Sequence, residues 1–471
     1  MRKSNCIHIF MLLFILHSFG QTTIPDNTTI SGNWTLENSP YIIEGRAIVL
    51  NGETLTIEEG VEIRFNSSSA SASPSWFDYN AGNVGVLRVQ GTITANASAS
   101  NPILFTRNGS SGYWGSVLID ENANNNSSFE NCIIEYAKET RNVPGINSVV
   151  SFNGAISLFQ TGITIESNEF RNNYINGLLV RDVTTSFEIP NNTFFDNGTN
   201  GLVIFDSTLN AINNIFYNNS IISSGAVSAI RSSNSNVYLV GNLIYNNDNF
   251  GVYTTSAGNH YIINNTIVGN SQGIRVESGA NTYIFNSIIQ NNNLNFATSN
   301  PVGAIIEMQN SITDDATFPD NVNDLVGNIL GSNALFSDLN SDDFSLQNTS
   351  PCIDSGIPDT SGLNIPDLDI VGNPRIDNNI IDMGAFEFQQ PLSVNEVNLQ
   401  QSLSIYPNPA SNKLNIILDD FDFARIYTLN GRLISTHKSK TIDLTEFEKG
   451  IYLLKIVTEN GNTIAQKIIK N

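Results

Sequence analysis

Charged side chains fall on matched positions of a recurring phrase. Counting from the glycines Gly177, Gly201, Gly251 and Gly273, the fourth position holds Arg181, Phe205, Thr255 and Glu277. The second holds Leu179, Val203, Tyr253 and Arg275, and Arg231 joins the fourth if its longer repeat is shifted by two. Arg181, Arg231, Tyr253, Arg275 and Glu277 are thus expected on one outer face. Asp182 and Asp206 share the fifth position, where two carboxylates one strand spacing apart could divide acid and base roles in glycoside hydrolysis. The next repeats offer only Ser256 and Ser278 there, which favours a turn-capping role for both aspartates. No zinc spacing, phosphate loop or Ser/His/Asp arrangement stands out, and His260 reads as a surface or turn residue rather than a general base.

Other candidates lie between repeats. A Ser-rich stretch, 66–83, carries Trp76, Phe77 and Tyr79, whose flat apolar rings suit sugar stacking. A loop expected to protrude around 137–150 carries Arg141 and Lys138, the only lysine between the N-terminal leader and the C-terminal 70 residues. Asp359, Asp367 and Asp369 are candidate Ca²⁺ ligands, since that ion prefers clustered oxygens, although their spacing is not that of an EF-hand. Turn formation is the competing role for all three. No other cofactor is expected.

The elements that must position these residues are short strands. The phrase is Asn, any residue, Phe or Ile, two residues, Asn, then a gap and Gly. Its leading asparagines are Asn168, Asn192, Asn214, Asn242, Asn265 and Asn286, at intervals of 24, 22, 28, 23 and 21 residues. A period in the twenties predicts a solenoid. Leu178 and Val180 alternate with Leu179 and Arg181, a two-residue period. So short a strand buries its apolar face only when coils stack at about 4.8 Å, which places Leu178, Leu202, Val252 and Ile274 in one inner column. Asparagine tolerates left-handed backbone at corners, and stacked asparagines form amide ladders. The reading is an all-β, right-handed parallel β-helix, its hand taken from the rule for parallel crossovers.

This phrase resembles the repeats of the pectin-lyase-like superfamily. The resemblance implies the fold but not the activity, because lyases, hydrolases, epimerases and non-enzymatic surface proteins share it.

The ends are equally informative. Residues 1–20 (MRKSNCIHIFMLLFILHSFG) have the basic start, apolar run and small-residue end of a signal peptide, and no later segment is long enough to span a membrane. Residues 41–65 read as the first coils and cap. Cys132 and Cys352 could pair after export, though buried thiols in separate coils are the favoured reading. The body, 21–388, ends in 344–388, whose phrases SPCIDSG, GNPR and IDMGAFEF resemble the end segment of choice-of-anchor Q proteins. That segment is expected to close the open end of the helix.

A polar linker, 389–401, leads to residues 402–471, where nine basic residues face seven acidic ones. The chain as a whole carries −22, which argues against a nucleic-acid partner. Asn430-Gly431 and Asn460-Gly461 are hairpin signals, and a small Ig-like β-sandwich follows. Tyr406-Pro407-Asn408-Pro409, Leu429-Asn430-Gly431-Arg432 and Lys449-Gly450-Ile451-Tyr452 resemble the type A sorting domain of the type IX secretion system of Bacteroidota. The resemblance implies the secretion machinery as partner, and a secreted or surface-attached product after the leader and sorting domain are removed. The function read from all this is binding of glycans or another extracellular partner. The alternative is a polysaccharide lyase, epimerase or hydrolase.

Overall fold

The computed structural model describes residues 20–69, 84–146, 151–222, 227–298, 302–377, 380–389, 403–428, 432–459 and 463–471. Residues 1–19, where the signal peptide is expected, Trp76, Phe77, Tyr79, Gly431, the residues between 389 and 403 and both Asn-Gly hairpin signals lie outside the described residues. The chain divides into two compact units, Met1–Gln389 and Gln390–Asn471.

The first unit is a parallel β-helix. Complete coils give one strand to each of three faces, and two-residue alternation turns the apolar side of each strand inward. Among the described residues the first sheet has 13 strands and the second has 11. The third face is split into blocks of five and seven strands. The stack begins at Thr22–Ile24, one coil before the expected start at 41.

The inner column of the second sheet runs Leu178, Leu202, Ile230, Val252, Ile274. Across the core from it, Phe170, Phe194 and Phe216 of the first sheet stack face to face, with ring centroids 4.8 and 4.7 Å apart. This continuous apolar column supplies the burial that no single coil could.

The asparagines divide into an inner and an outer set. The leading ones are buried and form a ladder: the Asn168 amide donates to the Asn192 side-chain oxygen at 3.1 Å. Asn192, Asn214 and Asn242 donate likewise to Asn214, Asn242 and Asn265, at 3.2, 3.0 and 2.9 Å. A second ladder joins Asn173, Asn197, Asn219, Asn247, Asn270 and Asn292, at 2.8–3.1 Å. The corner itself is turned by the residue before each leading asparagine. Ser167, Asn191, Asn213, Asn264 and Asn286 have φ between 49° and 60°, where asparagine costs little. Asn286 is therefore a corner residue, and Ser287, one position on, takes its place in the ladder, accepting from the Asn265 backbone N–H. The last interval is thus 22 residues rather than 21.

The segment 351–388 does not lie where the sequence suggested. It turns back along the side of the stack, held largely by the outward side chains of the corner asparagines. Asn213 donates to the Leu368 carbonyl (3.0 Å), Asn264 to Asp382 (2.8 Å) and Asn310 to Ser355 (3.2 Å), while Asn286 accepts from the Ile357 N–H (2.8 Å). Cys352 and Met383 pack on the outer residues Leu243, Val268, Ile288 and Ile312 of the first sheet. The apolar outer face at this end of the helix explains the path: a strap buries it. Cys132 and Cys352 are both free and buried, Cys352 in the strap rather than in a coil.

The second unit is a sandwich of antiparallel sheets, with three and four strands among the described residues. Its core includes Leu414, Ile416, Ile426, Leu454 and Ile456.

Candidate functional site

Strand pairing fixes the outer columns of the second sheet. Val203, Arg231, Tyr253 and Arg275 stand in register on successive strands. Arg181, Phe205, Ser233 and Thr255 form the neighbouring column. Arg231 therefore belongs to the second position, not the fourth. Its 28-residue coil takes up its extra length before the strand Ser228–Ser233, and Ala229 stands where other coils have Gly.

The two columns form one oblique ladder of alternating guanidinium groups and rings. Arg181 lies 5.3 Å from the Phe205 ring centroid, and Arg231 lies 5.5 Å from Phe205 and 5.7 Å from Tyr253. Arg275 lies 6.0 Å from Tyr253 and 4.8 Å from Phe250. Rings between cations attract them through the quadrupole and limit their rotation. Glu277 pairs with Arg275, its carboxylate 2.6 Å from Nε, and Asp182 lies 3.9 Å from Arg181. Arg231 makes no ion pair with a described residue, and its buried Nε has no hydrogen-bond partner. Phe205 and Phe250 were not singled out as site residues by the sequence. The signal available was that Phe205 shares the Arg181 position.

Asp182 and Asp206 turn the corner after this sheet, with φ of 56° and 52°. Burial, opposed by Arg181 and reinforced by Asp206, raises the Asp182 pKa. Asp206 accepts from the Asn234 amide at 2.6 Å.

The remaining candidates are dispersed. The described part of the 137–150 loop folds back over the second sheet but leaves Arg141 exposed. Lys138 and Glu139 are buried, with Lys138 4.9 Å from the Tyr174 ring and Arg141 2.9 Å from Glu139. Val143 and Phe152 cover Leu118 and Phe159 on the outer face of the second sheet. The apolar residues within the loop make folding back favourable. His260 is neither on the surface nor in a turn. It points into the core with 1% exposure, shares a hydrogen bond with the Ser232 hydroxyl at 2.9 Å, and burial lowers its pKa to about 4.

Asp369 is buried, and its carboxylate accepts from the backbone N–H groups of Val371, Asn373 and Glu387. Asp359 is exposed and caps the turn at Ser361, while Asp367 contributes its carbonyl to the Arg375 N–H. Among the described residues no group of three or more His, Cys, Asp or Glu could hold a metal ion.

One ionic cluster escaped the sequence reading. Arg375, from GNPR, is 1% exposed and donates to the Gly384 carbonyl at 2.5 Å. Glu387, from IDMGAFEF, lies 4.0 Å from it. Burial raises Asp382 to about 6 and Glu387 to about 7. Both carboxylates accept backbone N–H groups: Asp382 from Asp354 and Phe388, Glu387 from Asp377 and Asp382. These phrases therefore knit the strap together.

In the second unit Asn408 joins the Tyr406–Pro409 stretch to the last strand. Its side chain donates to the Lys467 carbonyl and accepts from the Ile469 N–H, both at 2.8 Å. Tyr406 is exposed, Gly450 opens the strand Gly450–Thr458, and the Tyr452 hydroxyl donates to the Glu448 carbonyl.

Residues 184–349 match the right-handed beta helix region family, and residues 404–471 match the secretion system C-terminal sorting domain. Beta-agarase D of Zobellia galactanivorans is 38% identical over 71 residues, 15% of this chain and 15% of that protein. This chain thus spans only a small part of that relative. The mannuronan C-5 epimerase A-module of Azotobacter vinelandii is a structural neighbour at 14% identity and a TM-score of 0.30, over 66% of this chain and 85% of that one. Tailspike protein 2 of the Escherichia coli bacteriophage CAB120 is another, at 10% identity and a TM-score of 0.26, over 92% and 64%. No helix among the described residues is long and apolar enough to cross a membrane. The chain is a right-handed parallel β-helix protein with a type IX secretion sorting domain, exported to the medium or the cell surface.

Proposed function

We propose that the exported β-helix binds an anionic extracellular polysaccharide along the Arg181–Arg275 ladder, without catalysis. The observation that carries this reading is Arg231, a guanidinium between the Phe205 and Tyr253 rings with no carboxylate partner among the described residues. The two rings flank it and its Nε is buried, so its terminal N–H groups are the part left to meet a ligand oxygen. The Phe205 and Tyr253 rings already have guanidinium groups 5.3–6.0 Å from their centroids, which disfavours sugar stacking on them. Carboxylate or sulfate is therefore the favoured contact. The acidic body slows the approach of a polyanion, and Ca²⁺ in the medium would offset this by bridging.

The test is binding of the full chain to immobilised carboxylated, sulfated and neutral polysaccharides, with and without Ca²⁺. Retention by the charged polymers that Arg231→Ala removes supports the reading, and equal retention by neutral polymers sinks it. A second reading, glycoside cleavage, is favoured by the placement of Asp182 and Asp206 at matching corners of consecutive coils, where Asp206 helps to raise the Asp182 pKa. Shortening of the polymer that Asp206→Ala abolishes would establish it.

A further inference from the structure

We infer that a cleft on the third face of the β-helix, around the corner from the arginine ladder, binds a short segment of neutral sugar. It is a second site, independent of the anionic-ligand reading above. The two blocks of the third face meet at the strands Thr164–Glu166 and Phe187–Pro190, which belong to separate sheets although their coils are consecutive. Beside the second strand one bond still joins the coils, from the Ser167 N–H to the Pro190 carbonyl at 3.1 Å. Pro190 has no N–H to return, which interrupts the pairing. A cleft of about 840 Å³ opens there, lined by both strands and by the turns that precede them.

The lining selects the ligand. The floor is apolar, with Ile163 and Val183 buried and Phe187 half-buried. The C–H face of a sugar ring suits such a floor. On the rim Gln160, Thr185 and Ser186 are exposed, and their side chains have no hydrogen-bond partner among the described residues. Amides and hydroxyls both donate and accept, as sugar hydroxyls do. A wholly apolar ligand would take water from these groups and return no hydrogen bond. The charges decide between sugars. No lysine or arginine lines the cleft, but Glu166 and Glu188 do. Glu188 accepts the Asn210 amide at 3.3 Å, and the Glu166 carboxylate has no partner among the described residues. A carboxylate with open lone pairs accepts sugar hydroxyls through charge-assisted bonds. An acidic sugar would meet like charge there, which costs affinity.

The experiment titrates the full chain with short neutral cello-, laminari- and agaro-oligosaccharides and reads heat. Binding of at least one series is expected. Thr185→Trp fills the cleft from an exposed turn and is expected to weaken that binding about tenfold or more. Glu166→Gln keeps the shape but loses the charge-assisted acceptor, and is expected to weaken it severalfold. Thermal melts matching the parent show that both variants fold. Binding of none of the three series, or binding that Thr185→Trp leaves intact, overturns the inference and leaves the anionic reading standing. Arg231→Ala separates the two sites: neutral binding lost with that guanidinium would place the sugar on the ladder and overturn both. The polyanion test is repeated in Thr185→Trp, where any neutral retention comes from outside the cleft.

Discussion

The side-chain amide of Asn192 donates to the side-chain oxygen of Asn214 one coil further on, at 3.2 Å, with both residues fully buried. Asn214 in turn donates to the Ile189 carbonyl and to Asn242, and accepts the Asn192 N–H. Asn214→Ala leaves several of these groups unpaired in the dark interior, at about 1–3 kcal/mol for each buried group left unsatisfied. The variant is expected to unfold at clearly lower urea than the parent. Asn210→Ala, whose side chain reaches only Glu188 at 3.3 Å, is expected to stay within about 0.5 kcal/mol of it. Equal urea midpoints for the two variants would refute the ladder as a stabilising element.

The strap is expected to hold more firmly in mild acid. Asp382 and Glu387 have folded pKa values of about 6 and about 7, above their values in an unfolded chain. Between about pH 4.5 and 7 the folded strap binds more protons than the unfolded one, so this contribution to stability falls as pH rises through that window. Amide exchange, corrected for intrinsic rates, should show weaker protection of Asp354, Asp377 and Phe388 at pH 8 than at pH 5. Glu387→Gln should flatten the dependence. Arg375→Met is expected to loosen the strap by about 3–5 kcal/mol, since it leaves buried carboxylates without their cation.

His260 works in the opposite sense. Burial lowers it to about 4, so the unfolded chain binds an extra proton between about pH 4 and 6.5. Its contribution to stability rises with pH across that window and is lost on acidification, by about 3 kcal/mol in all. Thermal melts of the parent and His260→Gln at pH 7 and pH 4.5 check this: the parent should lose more on acidification. The same shift in both proteins would contradict it.

Phe205 carries no charge, yet its removal is expected to weaken polyanion binding. Phe205→Ala frees the Arg181 and Arg231 guanidinium groups to rotate, at a cost of about 0.5–2 kcal/mol in affinity. Titration calorimetry on a carboxylated polymer reads it. An unchanged affinity would show that the ring does not orient the cations.

Removal of residues 402–471 is expected to stop export, with the protein accumulating in the periplasm. Fractionation with an antibody to the β-helix reads the outcome. Surface display of the truncated chain would show that another segment carries the signal.

The solenoid was legible because its period is local and recurs: Leu178, Leu202, Val252 and Ile274 lie in one column as their spacing requires. The role of each asparagine was less so. Sequence alone does not distinguish Asn213, which turns the corner, from Asn214, which fills the ladder, since both residue types suit both places. That ambiguity is why Asn286 was read one position early. The Arg231 column depended on where a 28-residue coil stores its extra length, which spacing does not record. The strap was unreadable for another reason. Its docking contacts, such as Asn213 to Leu368, join residues far apart in sequence, and no local pattern encodes them.

The regular coil also gives the protein a unit of heredity. Gain or loss of one whole coil, by unequal recombination between similar repeats, keeps every ladder intact and alters length by a single step. Inserted between Arg181 and Arg231, such a step would turn a two-coil separation into three. The fold would survive the insertion, while every outer side chain beyond it moved one step further along the stack.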